Sequence, residues 1–366
     1  MTLYRKYRPQ KIDELDLENI RKRLASVLAS GHTPHAFLFA GPKGTGKTSA
    51  ARIVAKVINC EKVGKKRLEV KGVDRFKERF EPCNRCESCI SITEGRNLDV
   101  LELDGASNRG IDEIRDLKEK IKLAPSSSLF KVYIIDEVHM LTTEAFNALL
   151  KTLEEPPAHA VFILATTEAD KLLPTITSRC SRFDFQKATI DELVHSLKRV
   201  VKGEKLDIKN EKEVLESIAK VSDGSFRDGT KLLEQAIIED ALDPVKIEKV
   251  LGYSSEVSAK DVVELLVKKD AKSLLKLINK GIESGVNMKL LTASILTLLH
   301  DVLMTKHGLG GDNLSSIEKL SAEDINSLIK IFSRAYVEFR TSAIPQLPVE
   351  MAVVEWCETK DKNTVK

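Results

Sequence analysis

The sequence predicts an α/β fold, with a parallel sheet in the first half of the chain and helices alone in the rest. Short apolar runs alternate with helical patterns up to about residue 186, which is typical of parallel strands covered by helices on both faces. A glycine-rich loop separates the first apolar run from the first helix. Beyond residue 186, apolar residues recur at helical spacing, as at Leu193, Leu197 and Val200. The predicted strands lie at 37–40, 98–103, 132–135 and 161–165, and the predicted helices between them lie at 49–58, 111–122 and 143–155.

The composition limits the class of protein. A length of 366 residues allows roughly two to three domains, and 42% hydrophobic with 31% charged residues is typical of a soluble, helix-rich protein. The net charge is only +3, so any contact with nucleic acid must come from a local patch. The first residues lack the apolar stretch of a signal peptide, and no run of about 18 uncharged apolar residues occurs. We therefore expect a cytoplasmic protein without a membrane partner.

The glycine-rich loop matches the P-loop pattern, with a strand before it and a helix after it. Its glycines let successive backbone amides point at phosphate oxygens, and the following helix adds the positive end of its dipole. Lys47 is expected to neutralise the β and γ phosphates, and the Thr48 hydroxyl to bind Mg²⁺. A chance glycine-rich turn is the alternative. The predicted ATP-binding residues of this loop are Gly41, Pro42, Lys43, Gly44, Thr45, Gly46, Lys47, Thr48 and Ser49.

Two carboxylates end the third predicted strand. Asp136 is expected to hold Mg²⁺ directly or through water, and Glu137 to orient and deprotonate the attacking water. An acidic pair at a strand end can also be a solvated turn. The P-loop favours the catalytic interpretation, since the two motifs together form a complete phosphoryl-transfer site.

Several longer strings carry a resemblance to a known family. They resemble the AAA+ ATPase core of sliding-clamp loader subunits over roughly residues 3–235, and within this family they are most similar to the gamma/tau subunits of bacterial DNA polymerase III. The strings are Ile-Asp-Glu-Val-His-Met-Leu from Ile135, Phe-Asn-Ala-Leu-Leu-Lys-Thr-Leu-Glu-Glu-Pro-Pro from Phe146, Leu-Ala-Thr-Thr from Leu164, Ile-Thr-Ser-Arg-Cys from Ile176 and Gly-Ser-Phe-Arg-Asp from Gly224.

The resemblance and the helical spacing together imply three domains. Residues 1–180 would form an AAA+ nucleotide-binding domain with an inserted zinc module at about 60–90. Residues 181–250 would form a small helical lid, and residues 251–366 a helical collar that holds the oligomer together. The charged, glycine-containing segment 61–81 is predicted to be an inserted loop.

The resemblance also implies roles for single residues. Thr167 resembles sensor 1, which detects the γ phosphate, with Thr166 as its alternative. Arg179 resembles the arginine finger that enters the ATP site of a neighbouring subunit, although a surface arginine at a strand edge is the alternative. Arg227 resembles sensor 2, which reaches the phosphates from the lid.

The N-terminal segment resembles the part of the family that lies against the adenine and ribose. The residues implied there are Tyr4, Arg8 and Pro9. The chain departs from the family pattern at 14–19, which is one residue shorter and lacks the usual Val-Gly-Gln step.

Four of the six cysteines are predicted to bind zinc. Cys60, Cys83, Cys86 and Cys89 include two Cys-x-x-Cys steps, and clustered thiols in a reducing compartment favour a metal over disulfides. The gamma/tau family has a four-cysteine zinc module at this place, with a shorter first gap. Four thiolates leave no open position, so the role would be structural; free or redox-active thiols are the alternative. Cys180 and Cys357 are predicted to be packing residues.

The implied function is that of a motor subunit that uses ATP to open a ring-shaped sliding clamp and load it onto primed template DNA. Its cofactors would be ATP, Mg²⁺ and Zn²⁺. Its partners would be copies of itself, related subunits of the delta and delta-prime types, the clamp, and primer–template DNA bound without sequence specificity; nucleotidyltransferase activity would reside in other subunits of the polymerase. Candidate DNA contacts are Ser107, Asn108, Arg109, Lys151 and Lys171.

Three other functions are weighed against this one. A different AAA+ machine on DNA, such as a helicase loader or a branch-migration motor, would not need the cysteine module. A clamp-loader subunit that binds without hydrolysis would not need Lys47, Thr48, Asp136 and Glu137 together. A metabolic kinase would have no use for Arg179 or for the additional helical domains.

Overall fold

The computed structural model describes residues 2–30, 33–69, 80–108, 110–244, 246–247, 257–308, 320–339 and 341–358. The chain divides into two compact units. The first comprises Met1–Asp207 with Ile218–Glu234, and the second comprises Ile208–Ser217 with Gln235–Lys366. The predicted division into three domains stays a prediction, and its boundary near residue 250 lies outside the described residues.

The first unit contains a five-stranded sheet in the order β2-β3-β4-β1-β5, in which all neighbouring strands are parallel. The four predicted strands are present, and a fifth, β5, was missed. Its residues alternate in exposure and only Phe183 is buried, so it lacks the continuous apolar run of the central strands. The strands are β1 (Ala36–Ala40), β2 (Val100–Asp104), β3 (Lys131–Asp136), β4 (Ala160–Thr166) and β5 (Ser181–Asp184).

Helices pack against both faces of this sheet. On one face, Phe37 and Phe39 of β1 lie in a core with the apolar residues of the helix that follows the P-loop. On the other face, Leu38 and Tyr133 pack with the helices that precede β3 and β4. The helices of the first unit are α1 (Leu3–Lys6), α2 (Glu18–Ala29), α3 (Lys47–Asn59), α4 (Glu61–Glu69), α5 (Glu87–Glu94), α6 (Ile111–Ile121), α7 (Thr143–Glu154), α8 (Pro174–Thr177) and α9 (Ile190–Glu204).

The predicted loop at 61–81 is corrected by the structure over its first part, since Glu61–Glu69 is helix α4. Lysine, glutamate, arginine and leucine in this stretch are good helix formers, and Glu61 stands in the first turn, where the helix dipole favours a carboxylate. Val63 is buried in the core, which adds a tertiary contact. Residues 70–79 lie outside the described residues.

The second unit is helical in its described residues. Several of its helices begin at side-chain caps, for example at Ser258 and Ser321, where each hydroxyl accepts the backbone N–H of an aspartate three residues on. Trp356 is buried in the core, and its indole N–H donates to the carbonyl of Leu266 at 2.9 Å. Helices α10 (Glu211–Val221) and α11 (Phe226–Ile238) are divided between the units. They are followed by α12 (Ala259–Val267), α13 (Ala271–Glu283), α14 (Met288–Lys306), α15 (Ala322–Glu338) and α16 (Leu347–Glu358).

Helix α14 is the one helix among the described residues that is long and apolar enough to cross a membrane, by length and composition. In the structure, Leu291, Ile295 and Leu299 of this helix are buried in the core of the second unit. Core packing accounts for part of its apolar character, since 33% of its apolar window is buried.

Candidate active site

The loop between β1 and α3 is bent at positions that only glycine can occupy. Gly41 has a φ of 148°, and a Cβ on it would lie 2.0 Å from the carbonyl oxygen of Phe185. Gly44 has a φ of 80°, and a Cβ there would lie 2.0 Å from the hydroxyl oxygen of Ser225. The amide of Gly41 donates to the carbonyl of Thr166 at 3.1 Å, which ties the loop to β4. The loop leads into the N-terminus of α3, where the helix dipole favours an anion.

Lys47, the first residue of α3, points back into this loop. Its ammonium donates to the carbonyls of Gly41 at 2.7 Å and Pro42 at 2.8 Å. Burial lowers the pKa of Lys47, while the nearby carboxylates of Glu137 and Asp136 act to raise it. A desolvated ammonium held by neutral carbonyls gains strongly from an anionic ligand, because charge-assisted hydrogen bonds are the stronger ones.

The second motif meets the first at the end of β3. The Thr48 hydroxyl donates to Oδ2 of Asp136 at 2.7 Å, and Oδ1 of the same carboxylate accepts the amide of Glu137 at 3.0 Å. Hydroxyl and carboxylate oxygens are the ligands that Mg²⁺ prefers, so this pair fits the predicted magnesium site.

Glu137 is held by the end of β4. Its Oε2 accepts from the Thr167 hydroxyl at 3.0 Å and from the Thr167 amide at 3.3 Å. Thr166 points elsewhere, with its hydroxyl oxygen 3.0 Å from Nδ1 of the buried His139. Nε2 of the same ring lies 3.3 Å from a carboxylate oxygen of Glu168. Of the two sensor candidates, the structure therefore brings Thr167 to Glu137, and sequence reasoning missed His139.

A cleft of about 820 Å³ extends from the P-loop. Arg227 lies across it, with its guanidinium 5.0 Å from the centre of the Tyr4 ring. Burial, and then repulsion from Arg52, lower the pKa of Arg8. Thus the cleft unites the N-terminal, P-loop and lid residues that the sequence predicted. The predicted residues that line it are Tyr4, Arg8, Pro9, Lys43, Gly44, Thr45, Gly46, Lys47, Thr48, Ser49, Asp136, Glu137 and Arg227.

Part of the cleft wall comes from the segment in which the sequence departs from the family pattern. Leu15, Leu17 and Ile20 line the cleft. The Asp16 carboxylate is bound by the Arg199 guanidinium of α9 at 2.7 Å, which fixes this segment against the helix. Sequence reasoning missed Arg199, because nothing in the pattern of α9 indicates a partner so distant in sequence.

The four predicted zinc ligands come together at the end of α3 and the start of α5. Their Sγ atoms all lie within 4.8 Å of one another. The amide of Cys83 donates to Sγ of Cys60 at 3.4 Å, and the amide of Cys86 donates to Sγ of Cys83 at 3.3 Å. Burial opposes ionisation of Cys83, but backbone N–H donors of Arg85 and Cys86 lower its pKa to about 6. Four crowded sulfurs with amide donors fit tetrahedral zinc, which binds thiolates.

Two separate parts of the sequence match the subunits of one enzyme complex. Residues 17–189 match the family described as DNA polymerase III, delta subunit, and residues 242–365 match DNA polymerase III subunits gamma and tau domain III. The gamma subunit of DNA polymerase III from Buchnera aphidicola subsp. Schizaphis graminum is 36% identical, over 83% of this chain and 80% of its own length. The chain belongs to the gamma/tau family. The family predicted from the sequence is therefore confirmed.

Longer gamma/tau relatives extend beyond the matched region. The tau subunit of Bacillus subtilis (strain 168) is 40% identical over 99% of this chain and 64% of its own length. The tau subunit of Escherichia coli (strain K12) is 37% identical over 86% of this chain and 47% of its own length. The chain thus spans about half to two thirds of these tau subunits. The α/β fold class is confirmed as well, since a parallel sheet with helices precedes a region that is helical in its described residues.

Arg179, the residue predicted to be the arginine finger, lies outside the cleft of its own chain. Its guanidinium donates to the carbonyl of Thr175 at 2.7 Å and pairs with the Glu154 carboxylate at 2.8 Å. The side chain is 35% exposed, so it is accessible from outside. Its role in a neighbouring subunit stays a prediction.

Three of the five candidate DNA contacts are engaged in local interactions. The Ser107 hydroxyl donates to the Asp104 carboxylate at 2.9 Å, and the Asn108 amide donates to the Asp104 carbonyl at 3.0 Å. Lys171 pairs with Glu168 at 2.9 Å, while Lys151 is exposed. Arg109 lies outside the described residues. Their role with DNA stays a prediction.

The two remaining cysteines pack against the cores. Cys180 lies against the core of the first unit, and burial raises the pKa of its thiol to about 11. Cys357 lies against the core of the second unit, and burial raises its pKa as well. Both positions agree with the predicted packing role.

Proposed function

We propose that the chain is the ATP-hydrolysing motor subunit of a bacterial clamp loader, which opens a sliding clamp and loads it onto primed template DNA in the cytoplasm. One observation carries the proposal: Lys47, Thr48, Asp136 and Glu137 meet at the carboxyl end of the parallel sheet in a gamma/tau chain. In sheets of this kind ligands bind beyond the carboxyl ends of the strands.

The geometry supports a direct hydrolysis. The triphosphate would lie in the loop, where Lys47 would exchange its carbonyl partners for β and γ phosphate oxygens. Thr48 and Asp136 would hold Mg²⁺, which supplies charge stabilisation when bound. Glu137, oriented by Thr167, would accept a proton from the water whose oxygen attacks the γ phosphorus, as the bond to ADP breaks. Tyr4, Arg8, Pro9 and Arg227 would border the nucleotide from the opposite wall.

Hydrolysis in this proposal depends on assembly. Arg179 pairs with Glu154 outside its own cleft, so the cation that stabilises the transferred phosphoryl group would come from a neighbouring subunit. The neighbours would be further copies of the chain and subunits of the delta and delta-prime types. DNA would be held by its phosphates, independently of sequence. The four cysteines would hold zinc in a structural role.

The decisive experiment measures ATP hydrolysis by the reconstituted assembly, with and without clamp and primed DNA. Strong stimulation by the two together is expected, because the loading cycle couples hydrolysis to both. Clamp alone and DNA alone serve as controls. An unchanged rate with both present would overturn the loader function while leaving nucleotide binding intact.

Replacement of Arg179 tests the dependence on assembly. Arg179→Ala should leave binding of a fluorescent ATP analogue unchanged and abolish the stimulated hydrolysis. Arg96→Ala is a matched control, because Arg96 is another exposed arginine paired with carboxylates, those of Glu87 and Glu94. Loss of nucleotide binding in Arg179→Ala would contradict the finger assignment.

A further inference from the structure

The zinc module at about 60–90, here called the cysteine module, contacts residues 10–13 of the N-terminal segment. One contact is made by the Glu81 carboxylate. Its Oε2 accepts the amide of Ile12 at 2.8 Å, and its Oε1 accepts the amide of Asp13 at 3.0 Å. Glu81 stands two positions before Cys83, a predicted metal ligand. A metal bound by Cys83 would therefore restrict the position of the Glu81 carboxylate. Two backbone amides on one carboxylate define the position of the segment more strictly than a single contact does.

A buried lysine makes the second connection. Lys56 of α3 is 1% exposed, and its ammonium donates to the side-chain oxygens of Gln10 at 2.6 Å and Asn84 at 2.8 Å. Thr93 of α5 lies next to the same ammonium at 3.4 Å. Asn84 lies between Cys83 and Cys86, and its side-chain amide donates to the carbonyl of Gln10 at 3.3 Å. Lys56 therefore joins Gln10 to the loop that carries two cysteines.

The segment held in this way forms part of the cleft wall. Gln10 lines the cleft, directly after Arg8 and Pro9, and Leu15 lines it a few residues later. Ile12 is buried in the same core as Cys60. A shift of the cysteine module would therefore move this part of the cleft wall.

We infer that Glu81 and Lys56 are positioning residues through which the cysteine module, with its metal, sets the affinity of the cleft for the base and ribose of the nucleotide. Lys56 also lines the cleft, so Glu81 is the one of the two that acts through the segment alone. The inference rests on the proposed function, because it takes ATP as the ligand of the cleft. The phosphate loop is held separately by β4 and β5, so its grip on phosphates should not depend on the module.

The charges of Lys56 and Glu81 explain why the position of residues 10–13 is sensitive to the loss of either side chain. Lys56 is 1% exposed, and both carboxylate oxygens of Glu81 are engaged by backbone amides, so each charged group depends on the partners that replace water. Removal of Glu81 takes the acceptor from the amide of the buried Ile12, and removal of Lys56 takes a charged donor from the side-chain oxygens of Gln10 and Asn84, which is costly. The segment would then shift or exchange among several positions.

The test compares two ligands on the full-length chain. ATP contacts both the phosphate loop and the opposite wall, whereas inorganic tripolyphosphate reaches only the loop. Glu81→Ala and Lys56→Met should bind a fluorescent ATP analogue about tenfold more weakly, as expected for lost hydrogen bonds to charged groups, and should bind tripolyphosphate as the natural chain does. Arg96→Ala is the control, because Arg96 is an exposed arginine beside the module that pairs with Glu87 and Glu94 of α5.

Zinc content is measured on every variant, so that a change in affinity can be separated from loss of metal. Chelation of the natural chain should weaken ATP binding by a similar factor and speed hydrogen exchange of the Ile12 and Asp13 amides. In Glu81→Ala, chelation should weaken ATP binding less than in the natural chain. The hydrogen bonds from the Ile12 and Asp13 amides to the Glu81 carboxylate are already absent in this variant. If Lys56→Met does not fold, Glu81→Ala carries the test alone.

The outcomes separate this inference from the function on which it rests. Equal ATP affinity in the zinc-loaded variants and the natural chain would overturn the inference. Equal weakening of ATP and tripolyphosphate would also overturn it, because that result indicates general destabilisation. Failure of the natural chain itself to bind ATP would instead refute the proposed function.

Discussion

The two ends of the parallel sheet use similar buried charges for different purposes. Lys47, at the carboxyl end, is 6% exposed and donates to two backbone carbonyls of the P-loop. Lys131, at the amino end of β3, is 8% exposed and donates to the carbonyls of Lys120 and Leu123, which end α6. Lys131 thus caps a helix, as cations do at C-termini. Lys47 lines a cleft wide enough for a nucleotide.

The carboxylates differ in the same way. Asp99, just before β2, accepts the amides of Ser126, Ser127 and Ser128 and is 1% exposed. Burial opposes its ionisation, but these donors lower its pKa to about 2. Glu137 accepts from the hydroxyl and the amide of Thr167, lies 3.5 Å from Nδ1 of His139 and faces the cleft. The amino end satisfies its charges internally and so stabilises the fold, whereas the carboxyl end keeps bonding capacity for a ligand.

Exchange of the two lysines for methionine should give the largest contrast. Lys47→Met should lower ATP hydrolysis by the assembly on the order of 1000-fold, because the charge on the transferred phosphate loses its cation. Lys131→Met should keep hydrolysis and lower the free energy of unfolding by about 2 kcal/mol, since buried carbonyls lose a charged donor. Hydrolysis and urea unfolding are measured on both. Similar changes in hydrolysis and in unfolding free energy for the two variants would contradict the proposed difference between the two ends of the sheet.

Glu137→Gln should have the next largest effect. The amide cannot accept the proton of the attacking water, so hydrolysis should fall on the order of 100-fold or more while ATP binding is kept. Equilibrium binding of a fluorescent analogue and single-turnover hydrolysis separate the two steps. The matched variant Asp99→Asn should hydrolyse ATP at the natural rate. A normal rate in Glu137→Gln would show that another group takes the proton.

Asp99→Asn should change stability and its dependence on pH. The pKa of Asp99 is about 2, below its ordinary value of 3.8, so its stabilisation is present above about pH 4 and is lost as the pH falls towards 2. The shift corresponds to about 2 kcal/mol of folding free energy. About half of this stabilisation, roughly 1 kcal/mol, is lost between pH 7 and pH 3. Urea unfolding at both pH values measures the loss, which should be smaller in Asp99→Asn than in the natural chain. An equal change in stability between pH 3 and pH 7 in Asp99→Asn and in the natural chain would contradict the lowered pKa of Asp99.

Tyr133→Phe should have the smallest effect. The hydroxyl of Tyr133 is buried, and among the described residues it has no hydrogen-bond partner; burial, and then the charge of Asp99, raise its pKa to about 12. Removal of an unsatisfied polar group should leave stability unchanged or raise it by up to about 1 kcal/mol, without effect on hydrolysis. Thermal unfolding measures the change. Destabilisation by Tyr133→Phe would indicate a partner such as an ordered water.

The sequence predicted the carboxyl end of the sheet far better than its other end. Lys47, Thr48, Asp136 and Glu137 could be found because phosphate chemistry requires these residue types next to a strand end. Asp99 could not be found, since its donors come from a distant loop and a single aspartate has no periodic pattern. Strand β5 was missed for a similar reason: one buried phenylalanine within Ser181–Asp184 gives no strand pattern by itself.

The cleft wall shows the same limit. Tyr4, Arg8 and Pro9 were predicted by resemblance, and the structure places them along the cleft. Arg199 and Lys56 were missed, because their partners Asp16 and Gln10 lie far away in sequence. A sequence pattern reports contacts made by regular spacing or by local motifs, whereas such pairs depend on the completed tertiary fold.

The strand that carries the phosphate loop is paired on both sides. β1 lies between β4 and β5, and all five of its residues are buried. Interior strands with such support open last when a protein is heated, while terminal segments and exposed loops separate first. A partly melted chain should therefore keep the floor of the proposed ATP site after the surrounding wall has been lost, and should still sequester nucleotide after hydrolysis has stopped.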